Sequence, residues 1–240
     1  MSKIMSAMRK KSGQGLDLEF KLKTLDSGDL FPKPPGAQMA EFERLANSMI
    51  AMLGGASGIV VTFASSIKGE GNSYVSFNVA RHLSIILDVR VAWIDANFIS
   101  PLRKPIDSPV DFRNLLLDPQ LADKLKGTGQ MAVIPHGNRP MKQTDILLSN
   151  RYLDLLEQLN KDFAFTIIDA PPITQSIDVG HIAKPTAGLV IVVETRRLKH
   201  EIILRNIEDM RNQGVNVIGT VLNKRTFDIP DFLYRRIVGV

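Results

Sequence analysis

From Ile59 onward the chain alternates short, almost continuous apolar runs with longer stretches whose apolar residues recur every three or four positions. The first kind is the mark of strands covered on both faces, the second of amphipathic helices. Ile59-Val60-Val61-Thr62-Phe63 is the first such strand, and Val75, Val79 and Leu83 trace the inner face of the helix after it. Upstream, Phe42, Leu45, Met49 and Leu53 predict a helix over residues 40–53. Further strands are predicted at 89–95, 131–135, 163–169, 187–193 and 215–222. Asp145 is expected to cap a helix whose buried face is Leu148, Tyr152, Leu155, Leu156 and Leu159. Ile203, Ile207 and Met210 predict a helix over 199–213, closed by a left-handed Gly214. Pro101, Pro105, Pro109 and Pro119 break residues 100–129 into short helices within a long crossover. Strand and helix alternate throughout, so the expected fold is α/β, a mainly parallel sheet flanked by helices on both faces.

The chemistry concentrates in the turn after the first strand. Ser66-Ile67-Lys68-Gly69-Glu70-Gly71-Asn72-Ser73 joins that strand to its helix, which is the layout of a phosphate-binding P-loop. Against G-x-x-x-x-G-K-[ST], Ser66 stands at the first glycine, Gly71 and Ser73 are kept, and Asn72 replaces the lysine. An amide can donate a neutral hydrogen bond there but cannot neutralise phosphate charge. Backbone N–H groups and the helix N-terminus still can cradle a phosphate, so Lys68, Gly69, Glu70, Gly71, Asn72, Ser73 and Tyr74 are the candidate nucleotide-binding residues. Two later strands end on carboxylates, Asp95 and Asp169. In open α/β sheets the ligand lies beyond the carboxyl ends of the strands. The run to Asp169 has the Walker B pattern, whose carboxylate holds Mg²⁺, and Ser73, Asp95 and Asp169 are the candidate metal residues. His136 reads as a loop residue rather than a ligand.

Composition narrows the picture in three ways. A length of 240 residues predicts one domain over 37–240 behind a polar tail, residues 1–36, that closes on Pro32-Lys33-Pro34-Pro35-Gly36. With no cysteine, disulfides and thiolate metal sites are excluded. The formal charge of +5 suits phosphate, an acidic partner or an anionic membrane. No apolar run approaches the ~20 residues of a membrane span and no signal-peptide core is present, so a cytoplasmic location is expected. No nucleic-acid-binding motif is recognised, and nucleic acid is not expected as a partner.

The ordered motifs resemble the bacterial tyrosine kinase (BY-kinase) family, itself similar to the MinD/ParA group of P-loop ATPases. Ile167 to Pro172 match I-I-D-x-P-P, Leu222-Asn223 match a later L-N, and Lys68 to Ser73 match P-G-E-G-K-S apart from the proline and the lysine. Pro135-His136-Gly137 and Asp145 to Ser149 match the family's P-x-G and E-L-L-S segments. The resemblance implies ATP or ADP with Mg²⁺ as cofactors, an adenine contact from Asn223, and catalytic roles for Asp95, Asp169 and Lys68. Lys68 stands where MinD/ParA relatives carry a signature lysine that reaches phosphate across a dimer. It also implies a membrane-embedded polysaccharide co-polymerase, a chain-length regulator, as partner, recruitment to the inner face of the membrane, and a homo-oligomer. The departures fall where the chemistry should be. E-x-x-R-x-x-R ends on Asn47, D-x-D-x-R reads Asp95-Ala96-Asn97-Phe98-Ile99, Asn72 replaces lysine, and after Arg225 the only tyrosine is Tyr234. The expectation is a degenerate member: a regulator of exopolysaccharide or capsule biosynthesis and export with weak or absent kinase activity. The alternatives are an active tyrosine autokinase using Lys68 and Tyr234, and a MinD/ParA-like positioning ATPase.

Overall fold

The computed structural model describes residues 30–54, 58–102, 108–138 and 143–225. Most of the expected tail (1–29), Pro105 and Tyr234 lie outside the described residues. Strand β1 (Ile59–Ser65) is buried at every position, as its apolar run requires. It pairs in parallel with β4 (Phe165–Asp169) on one side and β5 (Gly188–Glu194) on the other. With β2 (Val91–Asp95), β3 (Met131–Ile134) and β6 (Val217–Asn223) these form a six-stranded sheet in the order β3-β2-β4-β1-β5-β6, every pair parallel. Adjacent strands β1 and β5 are joined only through the elements between them, so β1 opens beside strands from the far end of the sequence. This places its carboxyl end at the switch point where strand order reverses, the position at which such sheets bind ligands.

Helices α1 (Gly36–Leu53) and α2 (Asn72–Leu87) cover one face, where Phe42, Met49, Phe77, Leu83 and Trp93 form a core. On the other face lie α3 (Phe112–Leu117), a 3-10 segment (Pro119–Gly127), α5 (Asn150–Asp162), α6 (Asp178–Ala183) and α7 (His200–Asn212). Their Leu115, Leu116, Tyr152, Leu155, Ile182 and Met210 build the second core. Helix α2 is buried almost all round because α1 packs over it, and some of its buried polar side chains are engaged by hydrogen bonds. The Trp93 indole donates to the Ser76 hydroxyl at 3.0 Å, and the Asn78 amide donates to the Tyr74 carbonyl at 2.9 Å.

Three expectations need correction. The first helix opens at Gly36, four residues early, because the Pro35 carbonyl accepts the Gln38 and Met39 N–H groups and starts the first turn. The helix expected from Asp145 onward is two, α4 (Gln143–Leu147) and α5. The Ser149 hydroxyl donates to the Ile146 carbonyl at 2.6 Å and breaks the run, leaving Asp145 inside the first turn of α4 rather than capping α5. Leu148, expected in the core, sits in that break and is 64% exposed. The short helices expected in the crossover are α3 and the 3-10 segment.

Candidate nucleotide site

The turn after β1 is built to present main chain. Gly69 and Gly71 have φ of 90° and 91°, a left-handed conformation that glycine adopts without steric cost. A Cβ on Gly71 would run into the Asn223 amide nitrogen. Helix α2 begins directly after Gly71, so its first N–H groups have no intrahelical acceptor and face the turn. Among the described residues, Asn72 is almost fully buried and Ser73 half-buried, while Lys68 is exposed on the outer part of the loop.

The outer edge of the loop is held by a dense set of bonds. The Glu70 side chain is fully buried, and its carboxylate accepts the Ile67 N–H at 2.8 Å and the Glu194 N–H at 3.1 Å. Asn223 donates through Nδ2 to the Glu70 carbonyl at 2.8 Å. Lys224 donates through Nζ to the Gly69 carbonyl at 2.7 Å and pairs with Glu194 at 3.1 Å, and Arg197 pairs with the same carboxylate at 2.9 Å. At the start of the loop the Ser66 carbonyl accepts both the N–H and the hydroxyl of Thr174.

The floor of the site is acidic and buried. Register places Asp95 beside Asp169 at the ends of β2 and β4. Both carboxyl groups are pushed up by burial: Asp95 to about 6, against the pull of hydrogen bonds from the Leu102 and Asn97 N–H groups, and Asp169 well above the usual carboxylate range. For Asp169 the neighbouring Asp95 charge pushes the same way, while the nearby Ser73 side chain and the Asn72 amide pull against it. Asn72 occupies the lysine's place and turns into this floor. Its Nδ2 lies 2.5 Å from Asp169 Oδ1, 3.0 Å from the Phe63 carbonyl and 3.2 Å from the Ala170 carbonyl. The other Asp169 oxygen, Oδ2, is buried without a partner. Asn97, in place of a second carboxylate, accepts the Ser100 N–H at 3.0 Å and shapes the turn.

The residues singled out from the sequence therefore converge, with one exception. The Tyr74 hydroxyl donates to Gln38 at 3.2 Å and its ring meets Phe31 and Phe42 edge-on, so that side chain belongs to the packing between α1 and α2. Four neighbours were not anticipated. His136, expected as a plain loop residue, stands 3.8 Å from Asp95 Oδ2, and burial, then the Arg113 charge, lower its basicity. Glu194, Arg197 and Lys224 form the outer edge. Glu194 was findable by the rule that exposed Asp95 and Asp169, a carboxylate closing a buried strand.

The geometry fits a nucleotide phosphate and a hard cation in part. Two left-handed glycines beside a helix start provide main-chain donors, and the orphan Asp169 Oδ2 beside Ser73 provides oxygen ligands of the kind Mg²⁺ takes. At the position of the loop lysine the floor carries the neutral Asn72 amide instead of a charge. Among the described residues no helix is long and apolar enough to cross a membrane.

No family model matches the chain. In sequence it is 25% identical over 178 residues to the Tyrosine-protein kinase CpsD of Streptococcus agalactiae, covering 69% of this chain and 75% of that one. It is 30% identical over 90 residues to a Klebsiella pneumoniae protein described as a candidate tyrosine-protein kinase in the cps region, covering 38% of this chain and 12% of the other. In fold it is similar to the kinase domain of the Escherichia coli tyrosine kinase ETK, with a TM-score of 0.69 at 19% identity over 80% of this chain and 78% of that one. It is also similar to a ParA family ATPase from Chlorobium tepidum, with a TM-score of 0.55 at 16% identity over 76% and 82% of the two chains.

Proposed function

Related in sequence to the bacterial tyrosine kinases and folded as their kinase domains are, the chain is, we propose, a degenerate BY-kinase-like regulator of exopolysaccharide or capsule biosynthesis. It retains nucleotide binding and has weak or absent kinase activity. The observation that carries this reading is the Asn72 amide bound to Asp169 where a lysine would reach phosphate. Phosphoryl transfer depends on positioning and on neutralising the charge that spreads over the transferred group. Losing one preorganised donor of that kind removes about 3–4 kcal/mol of transition-state stabilisation, on the order of a hundred- to thousandfold in rate.

In this reading the loop N–H groups hold the phosphates of ATP or ADP, Ser73 and Asp169 hold Mg²⁺, and Asp95 stands nearby. Bound Mg²⁺-nucleotide supplies the charge neutralisation and the transferable phosphoryl group. The chain's own part is to bind and orient. Asn72 keeps Asp169 Oδ1 engaged, and Lys68 is the one loop residue with a charge to offer from the outer side. In this reading the protein acts at the inner face of the membrane with a membrane-embedded polysaccharide co-polymerase; the likeness to a protein described from a cps region supports the capsule setting.

Calorimetric titration with ATP and ADP, with and without Mg²⁺, tests the binding, and phosphotyrosine on the purified protein tests the chemistry. Micromolar Mg²⁺-dependent binding without phosphotyrosine is the expected result. Phosphotyrosine that disappears in Asp169→Asn would replace this reading with an active autokinase. Absence of binding at millimolar nucleotide would leave a scaffold.

A further inference from the structure

The last residues of β6 hold the phosphate loop from its outer edge. A trans peptide points its carbonyl and the following N–H in opposite directions. Lys224 binds the Gly69 carbonyl and Asn223 the Glu70 carbonyl. The N–H groups of Glu70 and Gly71 are thereby turned to the opposite side of the loop, as successive donors of an anion-binding nest. We propose that Lys224, with Asn223, is a positioning residue for phosphate, setting the loop's anion-receiving shape before the ligand arrives and without touching it. This rests on the reading of the loop as a nucleotide site and adds to it the means by which a loop without its lysine keeps its donors aligned.

Independent features of the structure converge on the same clamp. Among the described residues, three non-glycine residues have positive φ, and two of them, Arg196 (67°) and Lys224 (52°), lie just beyond the ends of β5 and β6. Side chains with a Cβ rarely adopt that conformation, and here it falls at or beside residues of the clamp: Arg196 precedes Arg197, and Lys224 itself binds the loop. The Thr195 N–H and hydroxyl both donate to the Asn223 carbonyl, which ties the two strand ends together. The Lys224 ammonium, then Arg197, holds the Glu194 carboxyl below the usual range, so it stays an anion able to anchor both cations. The buried Glu70 carboxylate closes the circuit by accepting N–H groups from the loop at Ile67 and from β5 at Glu194. Asn223, expected as an adenine contact, has its amide nitrogen engaged by this circuit.

The test compares wild type with Lys224→Met and Lys224→Arg. Hydrogen exchange at the Ile67 and Glu194 amides is followed without ligand, and ADP and pyrophosphate are titrated over a salt series. Lys224→Met is expected to speed exchange at both amides and to weaken ADP and pyrophosphate about three- to tenfold with an unchanged salt slope. Lys224→Arg is expected to restore both. A shallower salt slope in Lys224→Met would mean that Lys224 meets phosphate directly, and would overturn the positioning role. So would unchanged exchange, or wild-type affinity in Lys224→Met. Wild-type protein that binds neither ADP nor pyrophosphate overturns the nucleotide reading itself, and faster exchange in Lys224→Met would then mark the clamp as a contact of the fold alone.

Discussion

The outer edge and the floor of the phosphate loop differ in what each has kept. Along the edge the charged groups that brace the loop are paired: Glu70 with two N–H groups, Glu194 with Lys224 and Arg197, and Lys224 with a loop carbonyl. On the floor two buried carboxylates face one another, Asn72 offers a neutral amide, and one oxygen of Asp169 has no partner. The edge maintains shape through hydrogen bonds that need no particular ligand. On the floor the place of the loop lysine is taken by Asn72, which brings no charge. Loop geometry and loop electrostatics are thus separable: one substitution can remove the charge on which transfer depends and leave the cradle standing.

The sharpest way to break that contrast is Asn72→Lys. If the floor lacks only a cation, the variant should raise ATP turnover or phosphotyrosine formation by about a hundred- to thousandfold, the equivalent of about 3–4 kcal/mol. No gain would show that Asn97 or another departure limits the chemistry. A second effect concerns the floor's acidity. Asp95 has a folded-state value near 6 against an unfolded value near 4, so the folded state binds the extra proton and stability is lost as pH rises from about 4 to about 6. The loss is roughly 3 kcal/mol, Asp169 adds one of the same sign, and Asp95→Asn should flatten the slope of urea-unfolding free energy over that window. An equally steep slope in the variant would place the proton elsewhere. The smallest effect belongs to the edge. Glu70→Ala leaves the Ile67 and Glu194 N–H groups without their acceptor and should lower unfolding free energy by about 2 kcal/mol, read by the same denaturant titration. A neutral outcome would mean that water replaces the carboxylate and that the edge is held by Lys224 and Asn223.

Much of the fold was legible because its signals are local. A strand covered on both faces must be apolar throughout, so β1, β2, β4 and β5 announce themselves, and the P-loop spacing is carried by consecutive residues. Errors arose where one side-chain hydrogen bond outweighs periodicity. Ser149 splits the helix expected from Asp145 and leaves Leu148 in solvent, although its spacing fits a buried face. His136 reads as a plain loop residue for a related reason: nothing near it in the chain reveals that the end of β3 brings it to Asp95.

By itself the sequence determined the α/β class, the loop, the two strand-terminal aspartates and the absence of the lysine, since each is a property of neighbouring residues. Only the tertiary structure decided what those residues meet. Asn72 binds Asp169, 97 positions away, Lys224 reaches Gly69 across 155, and Glu70 joins the loop to Glu194 across 124. The physical reason is the parallel sheet, whose crossovers carry strand ends from distant parts of the chain to one edge, where partners are chosen by strand order and register.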